Sequence, residues 1–122
     1  MDFERIVATA IEQDSRNKFE KYDGSLDKVP DEFKSFYREH NPVDVEIASA
    51  VGDIRLYPAE ELATLQSGYA YLNARFVFAS TNGDPIFFDN GQVFTCPHGM
   101  SKPKWEELSD PLFQVGILTN TP

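Results

Sequence analysis

Two short stretches of this chain carry side chains capable of chemistry: Cys96-Pro97-His98 and Asp44-Val45-Glu46. A thiolate and an imidazole are good zinc ligands, and they also form the nucleophile and base of thiol catalysis. Two carboxylates spaced two residues apart on a strand share one face and can exchange a proton with a substrate. A metal site and two kinds of catalytic site are therefore the hypotheses to weigh first.

The residue counts argue against a metal site. The chain has one Cys and two His, whereas a structural zinc site usually takes four ligands. Folding would have to bring His40 or an acid such as Asp84 to Cys96 and His98, because no pair of them has the spacing of a zinc motif. We predict no metal and no cofactor, with Cys96 at the end of a strand and His98 in a loop.

Catalysis is also disfavoured by the local pattern. Neighbouring side chains at a strand end point apart unless the loop bends sharply, and no oxyanion hole or orienting acid is identifiable near Cys96. Asp44 and Glu46 alternate with Val45 and Ile47, which is typical of any half-exposed strand. We therefore predict that the protein is not an enzyme and that these carboxylates are solvated or contact a partner.

The charge balance limits the class of partner. Twenty acidic and eleven basic residues give a formal charge of -9, and such a surface repels nucleic acid phosphates and anionic lipid. We expect neither nucleic acid nor membrane as a partner. The acidity either keeps a small protein in solution or attracts a basic protein partner.

The expected compartment is the cytoplasm. A lone cysteine forms no internal disulfide, which fits a reducing environment. The first residues, MDFER, place acids beside the first apolar side chain, and no long apolar run indicates a secretion signal or a membrane span.

The elements that position these side chains are clearest in the run FVFASTNGDPIFF, residues 76–88. Asn82-Gly83 can adopt the positive backbone angles of a tight turn between antiparallel strands, and Asp89-Asn90-Gly91 repeats this signal before residues 93–96. We predict a three-stranded meander. Phe87 and Phe88 must face opposite sides, so both faces of the sheet are expected to be at least partly covered.

Helices are predicted to supply that cover. The apolar face of the first is expected to consist of Phe3, Ile6, Val7, Ala10 and Ile11. A second begins after Pro30, buries Phe33, Phe36 and Tyr37 and ends near His40, before Pro42. A third begins after Pro58, with Tyr69 in the core at its end and Tyr71 either in the core or exposed.

The remaining predictions concern strands and termini. Val45 with Ile47, and Ile54 with Leu56, indicate two half-buried strands separated by a turn at Gly52-Asp53. We expect little regular structure in residues 14–28, with at most a short helical turn near Phe19, and a broken helix over residues 105–117. The whole chain is predicted to be one α+β domain, with a largely antiparallel sheet, a C-terminal meander and flanking helices.

In this order, three segments resemble the SUKH superfamily, which includes fungal cell-wall regulators of the Smi/Knr type and many bacterial immunity proteins. The segments are VPDEFKSFYREHNP at residues 29–42, IRLYPAEEL at 54–62 and FVFASTNGDPIFFDNGQVFTC at 76–96. The chain departs from the family at residues 41–44, where members often have a Gly-rich turn. The resemblance implies a twisted sheet flanked by helices and a non-catalytic binding module.

Bacterial members typically neutralise a toxin, commonly a nuclease, by docking onto it. The resemblance therefore implies a cognate toxin as partner, and a basic active site fits an acidic inhibitor. The candidate partner-binding residues are Asp44, Glu46, Asp53, Asp84 and Asp89, although Asp84 directly after Asn-Gly also suits a structural role in the turn. Two alternatives remain: a regulatory adaptor of the Smi/Knr type, and a small enzyme or ligand-binding domain using Asp44, Glu46, Cys96 and His98.

Overall fold

The computed structural model describes residues 3–49, 52–73 and 75–97, together with the backbone of Glu106–Glu107. The helices in this part of the chain are α1 (Phe3–Gln13), α2 (Asp31–His40) and α3 (Leu62–Gly68), with 3₁₀ turns at Ala59–Glu61 and Ala70–Leu72. The strands are β1 (Lys18–Glu20), β2 (Asn41–Ser49), β3 (Gly52–Leu56), β4 (Phe76–Thr81), β5 (Asp84–Asp89), β6 (Gln92–Thr95) and β7 (Glu106–Glu107). None of the described helices is long and apolar enough to cross a membrane.

The strands form one antiparallel sheet in which the spatial order follows the chain order from β1 to β7. This α+β architecture confirms the predicted fold class and the meander. At the turn between β4 and β5, Asn82 and Gly83 have φ of 52° and 84°, and at the next turn Asn90 and Gly91 have φ of 50° and 84°. Both turns thus use Asn-Gly for the positive angles that a two-residue hairpin loop requires.

Two hydrophobic cores lie on opposite faces of the sheet. The inner core joins α1 and α2 to the inner face, and its members include Ile6, Ala10, Phe33, Phe36, Tyr37, Val45, Ile47, Ile54, Leu56 and Ile86. The smaller outer core comprises Leu72, Val77, Phe87 and Cys96, with Leu65 and Tyr69 packed against it. Phe88 packs on the inner core and Phe87 is fully buried in the outer core, which confirms that both faces are covered at β5.

Strand β4 is buried along its whole length, with residues in both cores, and it contains a bulge. Its pairing with β5 shifts between Val77 and Ala79, so that both Phe78 and Ala79 belong to the inner core. A bulge adds one residue to a strand and breaks the strict alternation of side chains. The bulge therefore directs two consecutive side chains into one core, which the alternating pattern of the sequence does not reveal.

Two details of the first thirty residues differ from the predictions. Residues 14–28 hold little regular structure, as predicted, but the segment around Phe19 is the short strand β1 and not a helical turn, and it pairs with β2 from Asn41 to Asp44. Its single apolar residue, Phe19, lies with its ring centroid 6.4 Å from that of Phe36, and three residues are too few to show a period. Ile11, predicted on the buried face of α1, is 47% exposed. The buried residues of that helix are Ile6 and Ala10.

The predicted C-terminal helix is wrong where the structure describes it. Glu107 pairs with Phe94 and Glu106 with Thr95, so these two residues extend the meander as β7. The remaining residues of that predicted helix lie outside the described part of the chain.

Side-chain amides continue the sheet where neighbouring strands stop. β1 pairs with β2 as far as Asp44, and beyond it Asn17 binds Glu46: its Oδ1 accepts from the Glu46 N–H at 3.1 Å and its Nδ2 donates to the Glu46 carbonyl at 3.0 Å. Gln13 binds both backbone groups of Ala48 in the same way, at 2.8 and 3.1 Å. These amides satisfy backbone groups that would otherwise form an open sheet edge.

The same device occurs where β3 and β4 diverge. Gln66 of α3 donates to the Val77 carbonyl at 2.7 Å and accepts from the Val77 N–H at 2.9 Å. α3 thereby fills the gap in the sheet, and Leu65 packs against both cores.

Candidate functional site

Three of the five predicted partner-binding carboxylates share one surface. Asp44 and Glu46 on β2 and Asp53 on β3 are exposed, and they alternate with Val45, Ile47 and Ile54, which the inner core buries almost completely. Because side chains alternate along a strand, the three carboxylates lie on the outer face. We call the outer side of β2 and β3 the hairpin face.

The hairpin face also carries a cation. Arg55 lies directly opposite Glu46 in the register, and Asp53 lies opposite Ala48. Arg55 is exposed, and its guanidinium carbon lies 4.8 Å from the centre of the Tyr57 ring. The hairpin face is therefore acidic on balance, with its one arginine held against an aromatic side chain.

The other two carboxylates do not join this surface. Asp84 and Asp89 stand at opposite ends of β5, about 17 Å apart at the usual rise per residue. The Asp89 carboxylate lies 3.7 Å from Nε of Arg75. Asp84 is half-buried near the outer core: burial raises the pKa of Tyr69 and of Cys96, and the nearby charge of Asp84 raises both further. The structure thus groups Asp44, Glu46 and Asp53 and separates Asp84 and Asp89 from each other.

Three tyrosines follow the hairpin face along the outer side of the sheet: Tyr57 lies beside that face, and Tyr69 and Tyr71 lie farther along, near the outer core. The Tyr57 hydroxyl is 2.8 Å from Oγ of Ser80, and the Tyr69 hydroxyl donates to the Gly83 carbonyl at 2.6 Å. Tyr69 packs against the outer core, as predicted, whereas Tyr71 is 37% exposed, with its ring 6.2 Å from that of Tyr69. Tyrosines of this kind combine apolar area with a polar tip, which suits a binding surface.

The sequence interpretation placed Tyr57 with Arg55 on the side of the strand opposite Ile54 and Leu56, but did not count Tyr57 among the candidate binding residues. The signal was present, since Tyr57 follows Asp53 and Arg55 at intervals of two residues and so continues the same face of the strand. Proximity to Tyr69 and α3, by contrast, depends on tertiary folding and has no local signal.

The residues considered above for metal binding and for catalysis lie in different surroundings. Among residues 3–49, 52–73 and 75–97, no three His, Cys, Asp or Glu side chains come together in a way that could hold a metal ion. His98 lies outside the described residues, so its pairing with Cys96 stays untested. Asp44 and Glu46 lie on the open hairpin face, beside a polar hollow of about 280 Å³ that Asp14, Arg16 and Asn17 also line.

Cys96 is 2% exposed in the outer core. Burial raises the pKa of its thiol. A hydrogen bond from Tyr71 lowers the pKa, and the nearby charge of Asp84 raises it. A raised pKa keeps the thiol protonated, and the thiol is a far weaker nucleophile than the thiolate.

We therefore expect Cys96 to react with a disulfide reagent such as dithionitrobenzoate more than about tenfold more slowly in the native protein than in guanidinium chloride, because reaction requires opening of the outer core. The measurement is the release of thionitrobenzoate over time under both conditions. Equal rates in the two states would show that the thiol is accessible in the folded protein, and a faster native rate would show that it is also activated.

The hollow beside Asp44 contains a perturbed carboxyl group. Hydrogen bonds from the Arg16 guanidinium, at 2.9 to 3.3 Å, and from the Arg16 N–H lower the pKa of Asp14 to about 2. A carboxyl group with a lower pKa in the folded state favours folding above its unfolded pKa, and this contribution disappears as the pH falls toward about 2.

Arg16→Gln should return the pKa of Asp14 toward its ordinary value of 3.8, because the charged donor is removed. Titration of the carboxyl carbon by NMR measures both values. An unchanged midpoint in the variant would mean that another group holds the Asp14 pKa down.

Comparison of the chain with protein-family models, with curated proteins and with solved structures gives no match. The SUKH resemblance accordingly rests on the three sequence segments alone. The function has to be argued from the geometry of the hairpin face and of the tyrosines beside it.

Proposed function

We propose that this protein is a non-catalytic, cytoplasmic immunity protein of the SUKH type, which binds a basic cognate toxin and blocks it. The partner is a nuclease whose active site holds phosphate. The observation that carries the proposal is the uncovered hairpin face with the exposed carboxylates of Asp44, Glu46 and Asp53. The opposite face of the same strands is buried under α1 and α2, and farther along the sheet Leu65 and Tyr69 pack on the outer core.

Charge on this face suits the capture of a basic protein. Exposed carboxylates attract a positively charged surface over about a Debye length and raise the association rate, while salt screens the attraction. Affinity itself depends on a desolvated centre, and tyrosine and arginine are the residues that most often provide one. Arg55 lies opposite Glu46 and Tyr57 continues the same side of β3, so these two side chains could supply such a centre.

The proposal is tested by capture followed by function. Tagged protein is incubated at low salt with an extract of its source organism, and a retained stoichiometric basic protein is then expressed in a test cell with and without this chain. We expect the retained protein to be toxic alone and harmless in the presence of this chain. A partner that is not toxic, or toxicity that persists with both proteins present, would refute the immunity function.

The pattern of capture also separates the rival hypotheses. An adaptor of the Smi/Knr type would retain several proteins in less than stoichiometric amounts. An enzyme would retain none under these conditions and would lose its activity when Asp44 and Glu46 are replaced.

A further inference from the structure

A cleft of about 320 Å³ lies between the end of β3 and α3, next to the hairpin face. Its lining combines aromatic rings, carboxylates and the side of a short helix: Tyr57, Glu60, Glu61, Thr64, Leu65, Gly68 and Tyr69. Aromatic walls with a carboxylate at the rim are the environment that a guanidinium or an ammonium group prefers. The cleft therefore has the chemistry of a cation site, distinct from the carboxylates on the strands.

The chain itself shows that this wall accepts a guanidinium. Arg55 places its guanidinium carbon 4.8 Å from the centre of the Tyr57 ring and a terminal nitrogen 3.7 Å from the Glu61 carboxylate. About half of each of these two charged side chains is exposed, so water screens the pair and its contribution to stability is small. A cation from outside would repel Arg55, so it has to displace Arg55 from Glu61, and little stability is lost when so exposed a pair is broken.

Two of the other lining residues are held in place by hydrogen bonds within the protein, so the site is formed before a ligand binds. Glu60 accepts a hydrogen bond from the Asn41 side chain at 2.8 Å, and the Tyr69 hydroxyl donates to the Gly83 carbonyl. These contacts hold one carboxylate and one ring on either side of the cleft before any ligand arrives. Preorganised groups lose little entropy on binding.

We infer that this cleft receives an arginine side chain of the partner protein, with Tyr57 and Tyr69 as walls and Glu61 as the counter-ion. The inference rests on the proposed function for the identity of the partner, and it adds the anchor that the carboxylates of the hairpin face do not supply. The aromatic cleft desolvates and holds one cation, while Asp44, Glu46 and Asp53 accelerate the encounter.

The test uses N-acetyl-arginine amide as the probe, with N-acetyl-citrulline amide as the uncharged control of the same shape. The probe is titrated into isotope-labelled protein, and the backbone amide signals of Glu61, Thr64 and Gly68 are followed by NMR. We expect saturable shifts of these three signals with arginine and much smaller ones with citrulline. Equal shifts with the two compounds, or none with arginine, would overturn the inference.

Two variants and one control variant make the test specific to the cleft. A Cβ at Gly68 would meet no atom within 4 Å and its φ is not positive, so Gly68→Leu can fill the cleft without strain and should weaken arginine binding about tenfold or more. Glu61→Gln should weaken it about threefold or more. Glu12→Gln, which removes an exposed carboxylate from α1, should leave it unchanged. Binding that survives Gly68→Leu would place the probe elsewhere.

A failure of the cleft inference can be distinguished from a failure of the proposed immunity function. If a toxin is captured but binds Gly68→Leu as tightly as the unaltered protein, the cleft is not the anchor and the immunity function stands. If the cleft binds arginine amide and no toxin is found, the cation site stands without that partner.

Discussion

Phe33→Ala is expected to lower the free energy of unfolding by about 3 to 5 kcal/mol. Phe33 is 1% exposed, and its ring lies between α1 and the sheet, with centroids 5.0 Å from those of Phe76 and Phe78 and 5.1 Å from that of Phe88. Truncation removes these contacts and leaves a cavity that several rings border, and rigid rings collapse poorly into such a space. Urea denaturation measures the loss.

The matched control is Phe19→Ala. Phe19 is half-buried on β1 and has its nearest ring, that of Phe36, at 6.4 Å, so its truncation should cost about 1 to 2 kcal/mol. A loss below about 1 kcal/mol for Phe33→Ala, or a larger loss at Phe19 than at Phe33, would contradict the packing of α2 on the sheet.

Asn17→Asp is expected to be the most damaging polar substitution, at about 3 kcal/mol or more. Asn17 is 8% exposed, and its Nδ2 donates to the carbonyls of Ala10 at 2.8 Å and of Glu46 at 3.0 Å. A carboxylate has the same shape but no donor, so both carbonyls lose a partner. It would also place a buried charge beside Asp14 and Asp44, with which it shares a hollow.

Asn90→Asp provides the control, because it makes the same chemical change at an exposed turn position with φ of 50°, which Asp tolerates. It should change stability by about 0.5 kcal/mol or less. The two variants are compared by thermal and urea denaturation at neutral pH. If they were equally stable, the amide of Asn17 would not be what closes the edge of β2.

Much of the fold could be predicted because its signals are local. The two Asn-Gly turns, the adjacent Phe87 and Phe88, and the apolar stripe of α2 each lie within a few residues, and each determined its element correctly. The end of α2 at His40 likewise follows from Pro42, which disfavours a helical conformation in the residue before it.

The features that escaped prediction depend on distant residues. β1 exists because β2 offers an edge, and Asn17 closes that edge by reaching a residue 29 positions away. Tyr57 precedes α3 in the chain and Tyr69 follows it, and both line the cleft. No spacing in the sequence shows that their rings line the same space. The five candidate carboxylates do not form one surface. Strand alternation places Asp44 and Glu46 on the same face, whereas the length of β5 separates Asp84 from Asp89.

These differences assign two roles within the proposed binding surface. In the proposed complex, the exposed carboxylates of the hairpin face would act on the rate of encounter and on its salt dependence. The aromatic cleft between β3 and α3 would act on the lifetime of that complex. Asp84 and Asp89 belong to neither role in this arrangement.

The most direct test of the account is the association rate of the captured partner with a variant lacking the three hairpin carboxylates, Asp44→Asn, Glu46→Gln and Asp53→Asn. A control of equal charge carries Glu12→Gln, Asp23→Asn and Asp27→Asn, at exposed positions away from that face. At low salt we predict that the first variant associates about tenfold more slowly than the unaltered protein, that the control stays close to it, and that added salt removes the difference. Equal rates for the two variants would contradict the claim that the hairpin face receives the partner.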